Sequence, residues 1–214
     1  MENNLPKDND QEIEEKPISN RYFYIAAGII IILMLGVFFG AGYIFSIAKT
    51  DRVDYNNFVF TKSDDLWHTQ WQGADKILYA LSFRNNPYDV ENVPIIGKLN
   101  TTFNDRKIIH VTFDPLADKE EFKYIVLAES ELLLNLIRAL DRNITIGCIT
   151  NASDACANVP VVTCDDQTKS VIYLKSDGPT QILLNNTCVT LQGEDKELIK
   201  PVERILYQWY KIIR

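Results

Sequence analysis

Between Tyr22 and Ala48 the chain runs 27 residues without a charged side chain, with Ile29-Ile30-Ile31-Ile32-Leu33-Met34-Leu35 at the centre. A hydrocarbon core of about 30 Å is spanned by about 20 apolar residues of helix. This run therefore reads as a transmembrane helix over 22–48. Tyr22, Phe23 and Tyr24 at one end, and Tyr43 and Phe45 at the other, suit the two membrane interfaces. Ser46-Ile47-Ala48 has the small-x-small form of a signal cleavage site. The apolar region of a signal peptide is only about 7–15 residues, however, so an uncleaved signal anchor is the better reading. Gly36 and Gly40 form a GxxxG spacing through which a homodimer could pack.

Residues 1–21 carry six acids, three bases, Pro6 and Pro17, and almost no large apolar side chain. Such a segment buries too little surface to offset its ordering entropy, and it is expected to be a disordered acidic tail. Charge does not orient the helix. Lys7, Lys16 and Arg21 precede it, and Lys49, Arg52 and Lys62 follow it. All four cysteines follow it as well, with sequons at Asn100, Asn143, Asn151 and Asn185. The cysteines place the tail in the cytoplasm and the C-terminal part outside. The expected localisation is thus the cell membrane, with one crossing.

Residues 49–56 are polar and read as a stalk; 57–214 is long enough for one domain with a real core. Residues 49–214 hold 19 bases against 23 acids, which argues against a nucleic-acid partner. Period-two alternation around Phe58–Thr61, Trp67–Trp71 and Ile77–Phe83, separated by polar turns, predicts antiparallel strands. Val93–Leu99 and Lys107–Phe113 follow as strands, the second with Ile109, Val111 and Phe113 on one face. Between Phe122 and Leu140 the apolar period becomes three and four, which predicts a helix with Asp118, Glu120 and Glu121 in its first turn. The unit from Lys107 to Ile149 could be a crossover joining parallel strands. Ile144–Ile149, Val159–Thr163, Ser170–Lys175, Gln181–Leu184 and Cys188–Gln192 read as strands, and Glu197–Ile213 as a second helix. The expected class is α+β: a mixed, mostly antiparallel sheet packed with two helices.

Cys148, Cys156, Cys164 and Cys188 show neither the close pair of a structural zinc site nor a CxxC redox motif. Two disulfides are expected, Cys148–Cys156 closing a loop with no large apolar residue and Cys164–Cys188 joining strand ends. The only two histidines, His68 and His110, argue by number against a catalytic triad or a His-rich metal site, and both read as surface or rim residues. No phosphate loop, GxSxG or HExxH is present, and no cofactor or metal is expected. The candidate acidic site is weak. Glu131 and Asn135 share a helix face beside Leu132 and Leu136, where a partly buried carboxyl has a raised pKa. Asp114, at a strand end, is its possible partner; with Asp165 and Asp166 it matches no known cation loop.

Phe83-Arg84-Asn85-Asn86-Pro87, Val111-Thr112-Phe113-Asp114-Pro115, Leu127-Ala128-Glu129-Ser130-Glu131-Leu132 and Cys188-Val189-Thr190-Leu191-Gln192-Gly193 with Glu203-Arg204-Ile205-Leu206-Tyr207 occur in order. Together these strings resemble a group of uncharacterised archaeal single-pass membrane proteins. The resemblance implies a disulfide-bearing external domain and carries no activity and no catalytic residue. Three functions are therefore expected to compete. One is a binding module that engages another envelope protein or surface component. Another is an envelope hydrolase using Glu131 with Asp114. The last is a subunit of a larger membrane complex.

Overall fold

The computed structural model describes residues 20–46 and 51–214, with side chains placed over 21–37 and, in the second stretch, everywhere except residue 155. The acidic tail, apart from its last two residues, lies outside the described residues. So do residues 47–50. The chain divides into two units, 1–49 and 50–214.

In the first unit α1 spans Asn20–Ser46, 27 residues. Ile29 to Leu35 are each half exposed or more. Within the stretch whose side chains are described, no helix is long and apolar enough to cross a membrane; the backbone of α1 runs nine residues further, through Ser46. Gly36 has open space around it, and the surroundings of Gly40 lie outside the described side chains.

The second unit holds two sheets rather than the expected one. β1 (Arg52–Tyr55), β2 (Phe58–Ser63), β3 (Leu66–Gln72) and β4 (Leu78–Phe83) form an antiparallel meander in that order, so β4 is an edge. The polar stretch expected as a stalk is, from Arg52, the first strand: Val53 and Tyr55 turn inward while Arg52 and Asp54 pair on the surface.

The larger sheet has the order β5-β9-β10-β8-β6-β7. Its strands are β5 (Ile95–Leu99), β6 (Ile108–Phe113), β7 (Asn143–Cys148), β8 (Ser170–Lys175), β9 (Gln181–Asn186) and β10 (Cys188–Gln192). Only β9 and β10 pair antiparallel; the other four ladders are parallel, which corrects the expectation of a mostly antiparallel sheet. The physical reason is α4 (Lys119–Arg138), a crossover long enough to return β7 parallel to β6. Asp118 stands just before α4 as its N-cap, accepting from the Glu120 and Glu121 amides.

Residues 159–163 form no strand. They make a single bridge, Val161 to Cys148, because Pro160 has no N–H to donate. Two short helices were not foreseen, α2 (Pro87–Val90) and α3 (Thr101–Asp105), each capped by a preceding Asn side chain. The last helix is shorter than its apolar period suggests: a 3-10 turn over Asp195–Leu198 leads into α5 (Ile199–Trp209).

α5 is the axis of the core. Val202 to Tyr207 are all buried, so the helix is covered around its circumference. Phe60 and Phe83 of the small sheet pack edge-on or tilted against Tyr207, while β9, β10 and α4 contact α5 as well. On β8 the pleat separates two faces, Ile172 and Leu174 into the main core and Val171 and Tyr173 into a small cluster with Val162 and Cys188. Leu136 of α4 is buried in the main core. Leu136→Ala is expected to lower stability by about 2–5 kcal/mol through lost burial and the cavity left behind. Urea unfolding read by tryptophan fluorescence checks it.

Candidate functional site

α4 brings its two polar inward residues to the small sheet. Glu131 and Asn135, one turn apart, are both buried. The Asn135 amide donates to the Glu131 carbonyl at 2.8 Å and accepts from the Tyr210 hydroxyl at 2.7 Å, so both its nitrogen and its oxygen have a partner. Glu131 meets a second carboxyl, Glu203 of α5, which is 0% exposed. Glu203 is held by the turn after β4. It accepts from the Arg84 amide, from the Asn85 amide at 3.0 Å and from the Asn85 side chain. Tyr207, one turn along α5, donates to the Asn85 carbonyl at 2.7 Å.

This donor set decides where the pair keeps its proton. Burial, then the charge of Glu203 and a hydrogen bond to it, push the Glu131 pKa up to about 10. Burial raises Glu203 also, but the hydrogen bonds from Glu131, Asn85 and the two amides oppose that rise. Glu131 is thus the acid and donates to the Glu203 carboxylate. Glu131 Oε1 is buried and accepts no hydrogen bond from an ordinary donor.

Above the pair, α4 and the edge strand β4 enclose a cleft of about 220 Å³. Leu66, Leu81, Leu127 and Leu134 supply apolar wall, and Arg84 and Arg138 are its cations. The Arg84 guanidinium approaches Glu131 Oε2 only to 3.9 Å. It also lines a second hollow with Lys196, Lys200 and Glu197.

The sequence-predicted acidic site is only partly assembled. Glu131 and Asn135 line the cleft; Asp114 does not, and its side chain accepts from the Leu116 amide at 2.9 Å to close its own turn. Glu203 was missed, although Ile199 and Tyr207 four residues to either side marked an inward position. The cysteines form two disulfides, Cys148–Cys156 with Cα atoms 6.1 Å apart and Cys164–Cys188 at 5.3 Å. His68 bridges Ser82 and the Ser63 carbonyl on the small sheet. Burial lowers the pKa of His110 in its strand. Among the described residues no group of three or more His, Cys, Asp or Glu is placed to hold a metal ion.

No family model, no curated protein and no solved structure matches the chain.

Proposed function

We propose that the chain is a membrane-anchored binding protein of the cell envelope, with α1 crossing the bilayer, the tail in the cytoplasm and the disulfide-bonded domain outside. The observation that carries this reading is α1 itself. A 27-residue helix is about 40 Å long, enough for a core of about 30 Å, and its described apolar side chains are exposed. Water is a poor solvent for that surface; hydrocarbon is a good one. The two disulfides support the outer placement, since such bonds persist in oxidising compartments. The cleft between β4 and α4 supports binding over hydrolysis: its acid is neutral and tied to Glu203, and Asp114 is not beside it. No specific observation favours a helix-mediated complex through Gly36 and Gly40.

Topology tests the reading. Protease added to intact cells is expected to remove the domain after α1 and to spare an epitope fixed to the tail. A digested tail with a protected domain would reverse the orientation. Extraction of the chain by alkaline carbonate would remove the anchor altogether.

A further inference from the structure

We propose that the cleft between β4 and α4 binds a small organic carboxylate, its apolar body between the leucine walls and its carboxylate on Arg84. This rests on reading the domain as a binding module and names the class of ligand. The first observation is charge. The Arg84 guanidinium has one ion-pair partner among the described residues, Glu131 at 3.9 Å, and that group holds the proton of its pair. A guanidinium beside a neutral acid keeps its full affinity for an incoming carboxylate, which matches its planar donor fork. Arg138 and Lys196 form no ion pair among the described residues, while Lys200 is held by Glu197 at 2.6 Å. These cations line the two hollows that meet at Arg84 and Leu127, on a chain whose net charge is -7.

The second observation is shape. The cleft is bounded mostly by apolar side chains, with the buried Glu131 and Asn135 and the exposed Arg84 and Arg138 among its polar groups, the usual make-up of a small-molecule site. Its volume of about 220 Å³ suits a single ring or a short aliphatic chain rather than a long lipid tail. Leu134 is 68% exposed, a large apolar side chain kept at the mouth without a packing role of its own. The third is rigidity. Arg84 stands on the turn that Glu203 clamps through two amides, so the backbone that carries the cation is fixed before any ligand arrives. The negative charge of the pair sits on Glu203, where the Arg84 and Asn85 amides and the Asn85 side chain donate to it.

The same chemistry comes from a free acid or from the C-terminal carboxylate of a peptide, and the structure favours the free acid because the cleft is small. The test is calorimetric titration of the full chain in lipid nanodiscs. The probes are 3-phenylpropionate, 3-phenylpropanol and acetyl-Ala-Ala-Phe with a free carboxylate. Saturable binding of the acid at one per chain is expected, at least tenfold tighter than the alcohol. Arg84→Gln is expected to lose tenfold or more. Leu134→Asp, at an exposed position that cannot unfold the domain, is expected to lose as much. Equal binding of acid and alcohol, or no saturation up to about 10 mM, overturns the proposal. Tighter binding of the peptide than of the acid overturns the free-acid assignment. The protease test is independent, so a failed titration with the domain still digested outside removes the acid and leaves the anchor standing.

Discussion

Reducing both disulfides is expected to lower the stability of the domain by about 6 kcal/mol, close to the whole stability of many domains. Closure entropy supplies the number. Cys148 and Cys156 are 8 residues apart, and Cys164 and Cys188 are 24 apart. Loops of these sizes contribute about 2.5 and about 3.5 kcal/mol by restricting the unfolded chain. The folded side agrees. The short loop has no large apolar residue from Thr150 to Ala155. Its return is held to β7 by two hydrogen bonds, Cys148 N–H to the Pro160 carbonyl and Val162 N–H to the Cys148 carbonyl. The longer bond ties a small apolar cluster of Val162, Val171 and Cys188 that lies apart from the main core. All three tryptophans lie after residue 66, so urea unfolding by tryptophan fluorescence reports this domain. Paired Cys→Ser variants separate the two bonds. The longer loop is expected to be the costlier one to open, and the reverse order would mean that packing of the short loop outweighs chain entropy.

Local pattern was readable; long-range pairing was not. Ile109, Val111 and Phe113 alternate on β6 and all enter the core, as their period of two required. The same holds for Leu132 and Leu136 on α4 at a period near 3.6. Cysteine placement carried the disulfide pairs, because a loop with no core of its own has few other means of closure. The division into two sheets was invisible, since nothing within β4 or β5 states which strand becomes its neighbour. β1 was hidden by Arg52 and Asp54, two charges in four residues that face solvent and pair with each other. In α5 the charged Glu203 and Arg204 interrupt the apolar period, and nothing in their own side chains marks them as buried. Burial there depends on the small sheet closing over the helix, a tertiary event that a helical period cannot express. Glu131 was visible because its neighbours were apolar, yet its partner had to come from a helix some seventy residues away.

Glu131 and Glu203 are expected to respond to the same substitution with opposite signs. Glu203→Gln leaves one oxygen for the Arg84 and Asn85 amides but places an amide donor where the Asn85 side chain donates, and strips the charge all three were aimed at. A loss of about 3–5 kcal/mol follows, as for other broken buried pairs. Glu131→Gln keeps a donor toward Glu203 and introduces no charge, so it is expected to be neutral near pH 5 and stabilising at alkaline pH. The sign follows from linkage. Glu131 is raised from 4.5 to about 10 in the folded state. Above pH 4.5 the unfolded chain releases a proton that the folded chain retains, and so binds fewer protons. This contribution is therefore complete below pH 4.5 and declines as pH climbs toward 10. Other carboxylates titrate alike in both proteins, so the difference between wild type and Glu131→Gln isolates the pair. Urea midpoints measured at pH 5, 7 and 9 should show the variant gaining on wild type at each step. A difference that stays flat across that range would mean that the folded domain does not keep a proton between the two helices, and the neutral acid beside Arg84 would be lost with it.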